Sequence, residues 1–332
     1  MAVKLEKSMY QHARQSGITL TELLNQERPS QEDGLDAFEF ALFEKGINPS
    51  KDKVEKFYRT MDDKILFPEF INRNVRIGMV GLGKLDLNLE DIIATTVSID
   101  SATYETVKAV FDEQKDFEFS RVSEGGDFPT VSMKTGSEVV KLVKTGVKIR
   151  ATYEVLRRMK LPVLAIHMQL IGKRLAKKKV AQAVYTLLNG DGNGNAIVPQ
   201  VQALSYDNLL GFLLDLENWE ASVWFAKKAL IKEILTLSEF KDSRLFDTAR
   251  TGALATPFGF DLKKFNWAET NLGDDQLYQL DKSATLEYVK ESGAELVETD
   301  KVIERQFENT VVSEVCGFSK IYNDACMIFQ KA

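Results

Sequence analysis

The sequence is poor in the residues that carry most protein chemistry. Two cysteines, Cys316 and Cys326, and two histidines, His12 and His167, are spread over 332 residues. No CxxC pair occurs, so two buried reduced thiols of a cytoplasmic protein are expected rather than a disulfide. With the histidines far apart, a His/Cys metal cluster is nearly excluded, and no GxSxG nucleophile elbow is present. No stretch approaches the ~20 apolar residues that a membrane-spanning helix needs. The opening residues MAVKLEKSMYQHARQ place no apolar run behind their lysines, so no signal peptide is read there. Positive charge is also in deficit: 43 Lys and Arg stand against 49 Asp and Glu, a net charge of −6. Binding of nucleic acid through overall charge is therefore excluded, which leaves only a local basic patch.

What is present is ordinary globular material. Hydrophobic residues make up 44% and charged residues 28%, which rules against disorder over most of the chain. The length admits two domains, or one large domain with extensions. Residues 1–64 read as short helices, with Thr19-Leu-Thr-Glu22 as a capping box, an apolar helix over Asp36 to Glu44, and another begun by Asn48-Pro49-Ser50. Such pieces build no core alone and must dock on the main body or on a neighbouring subunit. From Ile65 to Phe111 β character is expected, with strands over Ile92–Ile99 and Tyr104–Phe111. A polar hairpin follows, turning at Glu124-Gly-Gly-Asp127. The strand from Val139 to Tyr153 sets Val147, Ile149, Ala151 and Tyr153 against Lys144, Lys148 and Arg150. Leu161 to Asn189 is one helical pattern, with Pro162 allowed in its first turn and Gly190 as its stop. Its 29 residues give a rod of about 43 Å, and Val163, Ile166, Leu170, Val180, Ala181, Val184 and Leu188 mark its apolar side. Two further helices are expected over Ser205–Leu216 and Trp219–Leu237, and β structure again from Thr285.

Three motifs invite a functional reading. Leu187-Leu-Asn-Gly-Asp-Gly-Asn-Gly-Asn195 alternates oxygen-bearing side chains with glycine, as a calcium loop does. Counted from Asp191, however, Ala196 stands where glycine is required and Gln202 where a bidentate glutamate is required, so a helix stop and flexible exposed turn are expected. Gly78-Met-Val-Gly-Leu-Gly-Lys84-Leu85 has P-loop spacing. Leu85 cannot ligate magnesium, and the flanking segments have the wrong periodicity. The run Lys173, Arg174, Lys177, Lys178 and Lys179 on the long helix is either a solvated face or a surface for a polyanion. His167, on the same helix, reads as a partly buried packing residue. No catalytic constellation is visible. An arm, a polar hairpin and an isolated long helix stabilise little within one protomer and suit contacts between protomers.

That order of parts resembles the major capsid proteins of tailed bacteriophages, with the Hong Kong 97-type capsid fold. Ile65-Leu-Phe-Pro-Glu-Phe-Ile71 is similar to the segment leading from arm to body, and Gly125-Gly-Asp-Phe-Pro129 to the tip of the extended E-loop. Lys144-Thr-Gly-Val-Lys-Ile-Arg-Ala-Thr-Tyr-Glu-Val-Leu156 resembles the family's strand-to-helix entry. Val312-Ser-Glu-Val-Cys-Gly-Phe-Ser-Lys-Ile321 with Asp324-Ala-Cys-Met-Ile-Phe329 resembles its last strands. The resemblance implies an α+β fold with an N-terminal arm (1–64), the start of the body (65–112), an E-loop (113–140) and a peripheral (P) domain (141–198) with spine helix 161–189. An axial (A) domain (199–299) and C-terminal P-domain strands (300–332) complete it.

It also implies a shell of hexamers and pentamers, with portal and scaffolding proteins as partners and the virion as location. No enzymatic activity and no cofactor are implied, and no membrane partner. The scaffolding function would lie in a separate protein or partly in the arm. The basic run Lys173, Arg174, Lys177, Lys178 and Lys179 would face packaged double-stranded DNA. On the E-loop, Arg121, Glu124, Asp127 and Lys134 would contact a neighbouring copy of the chain. An encapsulin-like compartment shell is the alternative with the same fold. A nucleotide-binding enzyme using Gly78–Lys84 is the alternative from another class.

Overall fold

The computed structural model describes residues 8–16, 18–27, 29–30, 34–101, 103–110, 124, 132–216, 218–241, 257–259, 261–265, 273–292, 296–302, 304 and 306–332. Along the chain run α1 (Ser8–Gln15), α2 (Leu20–Glu27), α3 (Ala37–Glu44), a 3-10 turn (Val54–Tyr58) and α4 (Met61–Val80). Next come β1 (Ile93–Ile99), β2 (Thr103–Val110), β3 (Ser132–Lys141), β4 (Val143–Thr152), α5 (Tyr153–Arg158) and the long α6 (Leu161–Asn189). Then follow β5 (Gln200–Gln202), α7 (Tyr206–Leu214), β6 (Val223–Ala226), α8 (Lys228–Leu235), α9 (Ser238–Lys241) and β7 (Asp261–Lys264). The chain ends through β8 (Gln276–Leu280), β9 (Leu286–Glu291), β10 (Leu296–Val302), β11 (Phe307–Lys320) and β12 (Cys326–Lys331). Two compact units result: Met1–Gly83, Val143–Lys179 and Lys290–Cys316 form the first, and Lys84–Leu142, Val180–Val289 and Gly317–Ala332 the second.

The first unit is built around α4, where β structure was expected from Ile65. Thr60 caps α4 by accepting from the Asp63 amide, and Asp62 and Asp63 suit the positive end of the helix. Leu66, Phe67, Phe70, Ile71 and Val75 recur at helical spacing and are buried with Leu24, Phe38, Phe57, Leu161 and Leu164 in one core. The N-terminal helices therefore dock on the chain's own body. The Thr19–Glu22 capping box forms, each partner accepting from the other's amide at 3.1 and 2.7 Å.

Pro68 lies inside α4, which a proline normally kinks or breaks because it has no donor for the preceding turn. Tyr10 of α1 fills that weakness. Its hydroxyl donates to the Ile65 carbonyl at 2.6 Å and accepts from the Glu69 amide at 3.1 Å. An unbroken α-helix would join that pair directly. Beside it the Thr21 hydroxyl donates to the buried Glu69 carboxylate at 2.6 Å. Burial first, and then the Glu69 charge, hold the Tyr10 phenol well above its ordinary pKa, so it stays a donor.

In the same unit β11 pairs antiparallel with β4 and with β10. Along β4 the expected alternation holds: Val147, Ile149 and Ala151 are half-buried while Lys144, Lys148 and Arg150 are exposed. The strand stops at Thr152, whose hydroxyl accepts from the Val155 amide, so Tyr153 opens α5 instead of ending a strand.

The second unit carries a five-stranded sheet in the order β5-β12-β8-β6-β7, with β5 parallel to β12 and β6 parallel to β7. Trp224, Phe212, Leu230, Ile234 and Phe329 pack over it. The buried Trp224 indole donates to Gln279 at 2.6 Å, and the Gln279 amide donates to the Phe212 carbonyl at 3.0 Å. Trp219–Leu237 is not one helix. Val223–Ala226 is a fully buried strand before α8, and its continuous apolar run hides the strand from a helical reading. β12 lies between β5 and β8. β2 and β3 form a separate antiparallel hairpin.

Candidate functional site

The long helix has the expected limits, and its environment decides what its residues can do. Residues 161–179 lie in the first unit and 180–189 in the second. In the first, α6 meets α4 backbone to backbone. A Cβ placed on Gly172 would fall inside contact with the Val75 carbonyl oxygen, and one on Gly78 inside contact with Gln169. Neither approach tolerates a side chain. This agrees with setting the phosphate-loop alternative aside, because Gly78 is an interior helix residue used for packing, and the helix continues to Val80. Lys84 presents its carbonyl to the Lys263 ammonium at 3.0 Å.

The buried face of α6 also differs from expectation in this half. Leu161, Leu164 and Met168 are buried, whereas Val163, Ile166 and Leu170 are 44%, 64% and 50% exposed. His167, expected partly buried, is exposed as well. The apolar stripe is broad enough to cover both faces, so spacing alone does not choose between them.

The basic run divides. Lys173, Arg174 and Lys178 are exposed and Lys177 is half-buried. At about 100° per residue these four span about 140° of the helix, and Lys179 falls on the opposite side. Lys179 is buried and ion-paired with Glu314 of β11. It belongs to the packing of the first unit and departs from the expected basic face. Arg121 and Asp127 lie outside the described residues. Glu124 is an exposed turn residue, and Lys134 sits on β3 in register with Lys108.

The turn after α6 is more ordered than an exposed stop. Gly190, Gly192 and Gly194 take φ of 79°, 103° and 70°, the left-handed region in which glycine is favoured. The Asp191 carboxylate accepts from the Asn193 amide at 3.2 Å and from the Lys320 amide at 3.0 Å. Asn195 accepts from the Asp191 amide at 3.0 Å. The Lys320 ammonium enters the turn and donates to the carbonyls of Leu187 and Asn195 at 3.3 and 2.9 Å, and to the Asn323 side chain at 2.7 Å. Lys320 is 0% exposed. Neither Lys320 nor Tyr10 carries a sequence signal of this role, because two of the three Lys320 acceptors lie 133 and 125 residues away and the Tyr10 acceptor 55.

Neither Cys316 nor Cys326 is in a disulfide, and both are buried. Among the described residues no group of three or more His, Cys, Asp and Glu could hold a metal ion. Among them, too, no helix is long and apolar enough to cross a membrane.

No protein-family model and no curated protein sequence matches the chain. Solved structures do. The capsid of a native GTA particle superposes with a TM-score of 0.52 at 13% identity, over 76% of this chain and 93% of that one. The capsid of an empty GTA particle gives 0.50 at 12% identity, over 72% and 88%. A structure of Mycobacterium phage Che8 is also similar, at 14% identity and a TM-score of 0.49, over 69% and 84%. The chain has the Hong Kong 97-type capsid fold, an α+β fold that includes one long helix.

Proposed function

We propose that this chain is a major capsid protein, the self-assembling structural subunit of an icosahedral or prolate tailed-phage head enclosing double-stranded DNA. The observation that carries this reading is the extent of the fold match, which spans 93% and 88% of two capsid chains. The absence of a catalytic constellation in the sequence agrees with a structural role. Its partners are copies of itself as hexamers and pentamers, with portal and scaffolding proteins, in a virion assembled in the host cytoplasm. Residues 199–299 form the axial domain. Arg121, Glu124, Asp127 and Lys134 contact a neighbour from the extended loop. Lys173, Arg174, Lys177 and Lys178 face the packaged DNA through sequence-independent contacts that weaken with salt.

Negative-stain microscopy of the purified protein, alone and with its genomic neighbours, tests the reading. Shells, hexamers or pentamers support it, and a monomer under every condition refutes it. Lys173→Gln/Arg174→Gln/Lys178→Gln shells should assemble but retain DNA less well as salt rises. Unchanged retention would remove the DNA contact while leaving the shell role.

A further inference from the structure

We infer that the end of α6, the turn from Asn189 to Asn195 and Asn323 together form a monovalent-cation cradle whose cation is the chain's own Lys320 ammonium, and that emptying it creates a site for a free ion of potassium or ammonium size. The inference stands independently of the shell reading. A buried ammonium must be compensated by oxygen ligands. An ammonium has three donors, and three oxygens meet it, from Leu187, Asn195 and Asn323.

The turn supplies one of these ligands, the Asn195 carbonyl, while Leu187 lies in the last turn of α6 and Asn323 follows β11. The turn itself is shaped by the same device as a calcium loop. Glycines at alternate positions turn the backbone, and the oxygen-bearing side chains between them tie it down. Here those side chains are used differently. Asp191 is occupied by the amides of Asn193 and Lys320, and Asn195 by the amide of Asp191. Mostly neutral oxygens are left to face the centre.

Size and charge choose the ion. The nitrogen-to-oxygen distances of 2.7, 2.9 and 3.3 Å exceed the ~2.3–2.6 Å of calcium–oxygen bonds. Of the side chains that build the turn and its contacts to Lys320, only Asp191 carries a formal charge. One negative charge and long contacts suit a monovalent ion. In the native chain the ion cannot dissociate, because it is covalently attached to β11. Chelators should therefore leave native stability unchanged.

Two experiments on the full chain test this. In the native protein, amine acetylation mapped by mass spectrometry should modify exposed Lys173 while sparing Lys320. Equal labelling of both in the folded protein overturns the inference. Second, the thermal midpoint of Lys320→Ala should rise in potassium or ammonium chloride relative to choline chloride at equal ionic strength. The rise should continue with the logarithm of cation concentration once binding saturates. Native protein and Lys320→Met, whose apolar chain fills the space, should show no such difference. If Lys320→Ala folds poorly, refolding yield in potassium against choline replaces the midpoint. No difference between these salts, or a stronger response to calcium than to potassium, overturns the assignment.

Discussion

The insertion of Tyr10 into α4 makes a quantitative prediction. In Tyr10→Phe the ring can still pack, but the Ile65 carbonyl and the Glu69 amide lose the hydroxyl that joins them. A buried polar group left unpaired costs about 1–3 kcal/mol. Partial direct closure of the pair offsets some of this, so a loss of about 2 kcal/mol is expected. Pro68→Ala removes the reason for the gap: an alanine at this position can donate to the Lys64 carbonyl, and the Glu69 amide can reach Ile65 directly. In that background the Tyr10 hydroxyl is surplus, and Tyr10→Phe should cost less than about 0.5 kcal/mol. The coupling between the two sites is then at least about 1 kcal/mol, outside the range seen for independent positions. Urea denaturation of the four chains gives the coupling, and hydrogen exchange at the Glu69 amide localises it. Tyr10→Phe alone should speed that exchange by about 30-fold, at tenfold per 1.4 kcal/mol. Equal costs in both backgrounds would refute the idea that the tyrosine bridges a proline break.

Four further outcomes follow from the packing. Gly172→Ala should destabilise by about 1–3 kcal/mol through forced separation of α4 and α6, read as a shift of the urea midpoint. Gly211→Ala in α7, where an added Cβ meets nothing within 4 Å, should instead stabilise by up to ~1 kcal/mol. Lys179→Met or Glu314→Leu alone should cost about 3–5 kcal/mol by leaving a buried charge, and the double substitution should recover most of it; additive losses would refute a paired charge. Burial raises the Cys326 thiol to about 12, so it stays protonated at mildly alkaline pH. Iodoacetamide at pH 8 should therefore modify neither cysteine until denaturant is added, and rapid native labelling would contradict their burial.

The parts legible in the sequence are those fixed by local chemistry. Pro162 and Gly190 bound the long helix, the Thr19–Glu22 box marks α2, and the alternation along β4 follows the pleat. The parts that were not legible depend on partners distant in the chain. Pro68 argues against a helix unless Tyr10 is known to support it. Lys179 is indistinguishable from Lys178 until Glu314 is placed beside it. The glycine-rich turn resembles a calcium loop in its alternation, but the cation it holds is a lysine later in the chain. Val163, Ile166 and Leu170 satisfy helical periodicity as well as the residues that are buried.

The close approach of α4 and α6 has a mechanical consequence. Where Gly172 and Gly78 bring two backbones together, no rotamers stand between the helices to absorb displacement. A load on the first half of the long helix is therefore passed to α4 without damping. It then reaches α1 and α2 through the Tyr10 and Thr21 hydroxyls, which are fastened at Ile65 and Glu69. The N-terminal helices thus register strain in a helix with which they share no sequence neighbourhood.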